Sequence, residues 1–315
     1  MSTFILMFKN VFIFVALTIP GFILAKSKMV TQDKTVSISK TITYVGVPFL
    51  ILDNTISMSF QGDALTIILL AGILSLVITT VAFFATSPIT KGFDDIKKRG
   101  VARFAMFSSN NGFLGIPLAR VMFGVSDILS VVVITNVLSN ILFYAFGTYL
   151  ISGDKNKISI KNILLNPLLI AFIIGIIINL TGVGGAIPEI STYTGYLSSI
   201  VTPLSMILLG MKMGAVNFKE LIVSKNMYYV ALVKLIAFPV IVIGLFIAVA
   251  QFISIPSALI MGLFIAFAMP TASVTTTFAD QFNSDTKGAV EYTLGTTILS
   301  ILTISVLYAI LTMII

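Results

Sequence analysis

Arg103-Phe-Ala-Met-Phe-Ser-Ser-Asn-Asn-Gly-Phe-Leu-Gly-Ile-Pro-Leu-Ala-Arg120 lies in an apolar region of the chain, yet it packs Ser108, Ser109, Asn110, Asn111, Gly112, Gly115 and Pro117 into ten residues. Asn and Gly are poor helix formers, and Pro removes a backbone hydrogen bond and clashes with the preceding turn. At 1.5 Å per residue, Asn110 lies about 14 Å inside the run, near the middle of a hydrocarbon layer about 30 Å thick. A second stretch, Phe267-Ala-Met-Pro-Thr-Ala-Ser-Val-Thr-Thr-Thr-Phe-Ala-Asp280, places Pro270 at a similar depth. Broken backbone in mid-membrane is tolerated only where protein buries it or where it lines a polar cavity. The pair therefore predicts two discontinuous helices that cross. Pro suits the first turn of a helix, so Pro117 and Pro270 are expected to open half-helices whose amide ends face the crossing. Such ends favour a small anion, and Asn110 and Asn111 add side-chain donors. Gly112, Thr271 and Ser273 complete the expected substrate-binding set. A pair of merely kinked helices would carry the same Gly and Pro; the recurrence of the pattern, with the Asn pair, favours the break.

The rest of the chain has the composition such a segment requires. Of 315 residues, 57% are hydrophobic and 10% charged, where a soluble domain is roughly half apolar and a quarter charged. With neither Cys nor His, thiolate nucleophiles, Cys/His zinc sites, His-based dyads and triads and His proton relays are excluded. An intramembrane protease of the serine type lacks its His, and one of the aspartyl type lacks two buried Asp. No cofactor or metal is expected, and the chain is not read as an enzyme. The net charge of +7 does not indicate nucleic acid, because the basic residues sit in short links between apolar runs and not on one soluble face.

Ten spans are expected, near 4–25, 36–53, 64–86, 101–122, 127–151, 163–181, 197–214, 228–250, 256–280 and 288–314. The first meets no A-x-A-like cleavage site and is read as a retained span. Thirteen Lys and Arg occupy the odd-numbered links, including Lys26, Lys97, Lys98, Arg99, Lys155 and Lys219, and none occupies the even ones near 54–63, 123–126, 182–196 and 251–255. Basic residues stay on the cytoplasmic side, which sets the odd links inside and both termini outside, in a cell (plasma) membrane.

Five spans precede the link at 152–162 and five follow it, so residues 1–151 and 163–315 would form two inverted five-helix repeats. Pro48 and Pro203 lie 155 residues apart, and Pro117 and Pro270 lie 153 apart. Two proline pairs thus share nearly one repeat offset. Several basic residues fall inside spans or at their ends. Arg103 and Lys212 are expected to snorkel toward the nearer surface, and snorkelling is also the favoured reading of Lys234. Arg120 would draw an anion into the outer vestibule, and Lys9 and Lys40 have no assignable partner. Asp53, Asp280 and Glu291 fall near interfaces. With no carboxylate deep in a span, ion coupling through a buried acid is disfavoured, and coupling through backbone carbonyls stays open.

Ser109-Asn-Asn-Gly-Phe-Leu-Gly-Ile-Pro-Leu118 resembles the fourth-helix motif of the auxin efflux carrier family, which includes plant PIN-FORMED proteins and bacterial malate and malonate permeases. Ala268-Met-Pro-Thr-Ala272 is similar to the family's ninth-helix break. Pro48, Asn166 to Ile170, Leu208 to Met211 and Lys234 to Pro239 fall where the family has similar short patterns, so the resemblance covers nearly the whole chain. It implies an all-α membrane protein with a fold like that of bile-acid sodium symporters and NhaA. Spans 1, 2, 6 and 7 would form a scaffold, and spans 3–5 and 8–10 a moving core. It further implies elevator-type transport of a carboxylate, with Asn110 facing the substrate and Pro117 and Pro270 at the crossover. The central link is short where plant members have a long loop, which favours a small organic acid such as malate or malonate over auxin. Expected partners are that acid and the lipid bilayer, and a homodimer is allowed. Sodium-coupled symport on the same fold and, less favoured, a non-transporting sensor are the alternatives.

Overall fold

A computed structural model describes residues 2–31, 34–214, 216 and 218–315. Among the described residues 84% are helical and none is in a strand. Among the described residues seven helices are long and apolar enough to cross a membrane: α1 (Phe4–Lys26), α2 (Thr35–Ile56), α3 (Gly62–Ile89), α6 (Asp127–Ser152), α8 (Pro188–Gly214), α9 (Lys225–Ala250) and α12 (Thr286–Ile314). The other main helices are shorter. They are α4 (Ile96–Phe107), α5 (Ile116–Phe123), α7 (Pro167–Thr181), α10 (Ser257–Ala268) and α11 (Val274–Gln281). The three expected spans missing from the long set differ in build: the sixth is the 15-residue α7, and the fourth and ninth are split into α4 with α5 and α10 with α11.

Proline shapes three of these helices in one way. Pro48, Pro117 and Pro239 each lie at the second position of an α-helical stretch, and each is preceded by a five-residue π turn, at Ile42–Gly46, Asn111–Gly115 and Val233–Ala237. Pro has no N–H and crowds the carbonyl one turn back, and the wider turn accommodates both effects without ending the helix. Side chains cap other starts: Asp95 accepts from the amides of Lys97 and Lys98 below α4, and Asn166 accepts from that of Leu168 below α7. Each offsets amides that the first turn leaves unpaired.

One expectation about the links fails. Residues 182–196 are expected to form a link without Lys or Arg, but α8 begins at Pro188. Two of its hydroxyl residues, Thr194 and Ser198, are buried against protein while Ser191, Thr192 and Ser199 are exposed, and a helix start this rich in hydroxyls resembles a loop in sequence.

Helix α3 is inside-out relative to a soluble helix. Leu69, Ile73, Val77, Val81 and Phe84 form an exposed stripe, while Gly72, Ser75 and Thr79 face the protein. Thr79 there shares a hydrogen bond of 3.2 Å with Ser139 of α6. Small and hydroxyl residues at helix contacts with large apolar residues outside are what a lipid solvent selects. Helix α1 packs on α8 and α7 on α2, while α3, α4 and α10 surround α6, and α9 and α11 lie against α12. The first two contacts need glycine. A Cβ on Gly210 would strike the Thr18 carbonyl, one on Gly21 the Ile207 carbonyl, and one on Gly175 the side chain of Thr55.

Candidate functional site

Helix α4 ends at Phe107, and Ser108 is extended (φ −73°, ψ 141°). The chain resumes helical form at Asn111, so the first break is Ser108–Asn110. Helix α10 ends at Ala268, Met269 is extended (φ −60°, ψ 150°), and α11 begins at Val274. The two breaks touch. The Asn110 amide donates to the Pro270 carbonyl at 2.9 Å, and Asn110 Nδ2 donates to Ser273 Oγ at 3.3 Å. Thr271 fastens the second break from both sides, its hydroxyl donating to the Ala105 carbonyl (2.9 Å) and its amide donating to Thr296 Oγ1 (3.1 Å). Backbone groups left unpaired by the breaks thus find partners across the crossing, as buried polar groups must.

On one side of the crossing lies a cavity of about 740 Å³. It runs from Ser109, Asn110 and Ser273 to residues of the central link, among them Lys157, Ser159 and Asn162. Lys40, Lys157 and Lys212 line it, and among the described residues no Asp or Glu does. Lys212 Nζ donates to Thr276 Oγ1 at 2.8 Å, in the first turn of α11. Asn136 is buried in the wall, and its Nδ2 has no protein partner. The walls therefore combine cations, amide donors and the start of a helix, each of which favours negative charge.

On the other side Arg120 Nη1 pairs with Asp53 Oδ2 at 2.5 Å. Asp53 is buried and also accepts from Thr194 (3.1 Å) and Ser198 (3.2 Å). Asp53 lies on α2, Arg120 on α5, and the two hydroxyls on α8.

Of the seven residues expected to hold substrate, Asn110, Gly112 and Ser273 line the cavity. Asn111, Pro117, Pro270 and Thr271 are buried beside or behind it. Neither proline opens a half-helix at the crossing. Pro117 follows the π turn that absorbs its missing hydrogen bond, well beyond the break, and Pro270 sits within the second break, where its carbonyl accepts from Asn110. The amide ends that face the crossing are those starting at Asn111 and Val274. Three cations also depart from expectation. Lys212 turns into the cavity, Arg120 is held by Asp53, and Lys234 is fully buried at the crossing. Counting residues along a span sets their depth but not the face on which they sit. Asn136 carries no signal in the sequence, since a single amide in an apolar run has no periodicity, and Thr276 is one of five hydroxyl residues that follow Pro270, with nothing in the sequence to set it apart from the other four.

Apolar outer faces, two interrupted helices and a polar cavity at their crossing define a multi-pass membrane transporter. The family described as membrane transport protein matches residues 5–308, and the chain belongs to it, the auxin efflux carrier group whose fourth-helix motif it resembles. That family comprises transporters and is not an enzyme class. The chain is also 29% identical over 209 residues to an uncharacterized transporter of Methanothermobacter thermautotrophicus (strain Delta H). The match covers 65% of this chain and 66% of that relative, just under two thirds of its length.

Proposed function

We propose that the protein is a ten-span carrier that moves a small organic anion, a malate- or malonate-like carboxylate, across the plasma membrane by an elevator-type mechanism. The observation that carries this reading is the cavity itself, which ends at the crossing and is lined by three Lys and by no carboxylate among the described residues. A carboxylate at its blind end would meet Asn110, Ser273 and the first turn of α11, with Lys212 within the same wall. Obligate catalysis needs no part in this: binding and release suffice.

Two inverted repeats are supported by reciprocal packing. Exchange of the halves maps α1 onto α7 and α2 onto α8, and the contact of α1 with α8 becomes that of α7 with α2. In the same exchange the contact of α3 with α6 becomes that of α9 with α12. Helices α1, α2, α7 and α8 would form the scaffold, and the remainder the core that carries the crossing. Positive residues in the odd links support a cavity mouth in the cytoplasm and both termini outside.

Purified protein in liposomes should take up labelled malate or malonate. Asn110→Ala is expected to lower uptake about 10- to 100-fold, as loss of a hydrogen bond to a charged group does, while the protein stays folded. Unchanged uptake would remove Asn110 from the site, and a wild-type protein that moves no small carboxylate would end the substrate assignment.

A further inference from the structure

Lys234 lies in the π turn Val233–Ala237 of α9, and none of its surface is exposed. Its ammonium donates to Ser109 Oγ at 2.6 Å and to the Phe267 carbonyl at 3.2 Å. The ring of Phe238 lies 5.2 Å from the nitrogen. Among the described residues no carboxylate forms an ion pair with it. A buried ammonium without a counter-charge is costly, so its surroundings must favour a cation by other means. They do so with oxygen dipoles. Phe267 is the next-to-last residue of α10, and the last carbonyls of a helix carry its negative end. Ser109 adds a hydroxyl oxygen from the other break. Half-helix carbonyl ends and unwound backbone are the ligands that hold a small monovalent cation in carriers built on broken helices.

We propose that Lys234 is a tethered cation, whose ammonium fills a monovalent-cation site formed by the Phe267 carbonyl and the Ser109 hydroxyl. A carrier with its own cation in that position needs no alkali ion from solution to complete the crossing. A second consequence rests on the anion-carrier reading. Ser109 lines the cavity while it accepts from Lys234, so the charge stands one side chain behind the substrate. Lys234 is thus a positioning residue that supports the anion without touching it.

Two readouts test this, one independent of transport. In detergent, the Tm of the wild type should not change when N-methylglucamine chloride is replaced by sodium chloride or methylammonium chloride at equal ionic strength. Lys234→Ala empties the site while leaving both oxygens, so its Tm should be lower and should rise with added sodium or methylammonium in a dose-dependent way. In liposomes, Lys234→Ala should take up labelled malate at least about tenfold more slowly than wild type, with at least partial recovery in the same salts. Lys234→Met fills the space with an apolar chain and should be impaired without recovery. Sodium dependence of the wild type would overturn the proposal, and that arm needs no variant to fold. So would full activity of Lys234→Ala in N-methylglucamine, or a folded Lys234→Ala whose Tm and uptake ignore both cations. Should the wild type transport no carboxylate, the Tm arm still decides the cation site.

Discussion

The two sides of the crossing handle a cation in opposite ways. On one side Arg120 is paired with a buried Asp53 that two hydroxyls also hold, and the helices α2, α5 and α8 are drawn together. On the other side Lys212 has the hydroxyl of Thr276 and an open cavity before it, with no ion pair among the described residues. A saturated charge closes a passage, and a charge with spare donors waits for an anion. Both contacts join the proposed scaffold to the proposed core, so the core cannot slide without remaking them. That asymmetry fits the proposed carrier resting open to one side.

The largest expected effect comes from breaking the closed side. Arg120→Ala leaves the Asp53 carboxylate buried with only Thr194 and Ser198. Removing one partner of a buried pair typically costs about 3–5 kcal/mol, and exposure of the Arg120 side chain, 42%, reduces the expected loss to about 2 kcal/mol. Thermal unfolding in detergent measures it, and Arg120→Gln with Asp53→Asn should recover most of the loss. Because the natural chain has no Cys, a cysteine at Phe113, on the cavity wall, reports accessibility without background. An impermeant thiol reagent should reach it from the cavity side alone in the parent and from both sides after Arg120→Ala. Access from one side in both proteins would show that the pair closes nothing.

Next in size is the open side. Lys212→Gln keeps a donor near Thr276 but removes the charge. Its KM for a dicarboxylate should rise about tenfold, as loss of roughly 1.4 kcal/mol would give, with a smaller change for a monocarboxylate and little change in Tm. Equal changes for both acids would show that Lys212 does not read the second carboxylate.

These two lysine and arginine positions also mark where sequence stops being informative. The breaks were legible because Ser108–Asn110 and Pro270 violate helix chemistry in a lipid setting, where violations need a reason. The role of each cation was not. Depth along a span follows from counting residues, but orientation depends on the turn. The π turns ahead of Pro48, Pro117 and Pro239 each shift the face that follows, and nothing in the residue pattern announces them except the proline. Lys234 lies inside one such turn, and Arg120 follows another. Asp53 was legible only as a carboxylate near an interface, since its partners lie on α5 and α8, far along the chain. The polar start of α8 reads as a link in sequence for the same reason: Thr194 and Ser198 serve Asp53, and only the packing of α8 on α2 shows it.

The smallest expected effect separates the two sides with one substitution made twice. Thr194→Val and Thr276→Val each replace a hydroxyl by a methyl of the same shape. Thr194 Oγ1 has one proton, directed at Asp53 Oδ1 and at the Ser191 carbonyl, each at 3.1 Å. Its loss should therefore lower stability by about 1 kcal/mol and Tm by about 2–4 °C, with KM unchanged. Thr276 Oγ1 accepts from Lys212 and donates to the Ser273 carbonyl at 2.9 Å; with valine that carbonyl keeps the Thr276 amide at 3.2 Å, and the freed ammonium can turn to water in the cavity. Tm should hold there, and any change should fall in KM, by about twofold at most. If both variants moved Tm equally, Lys212 would be as firmly bound as Arg120, and a resting cavity that holds a free cation for its substrate would have to be abandoned.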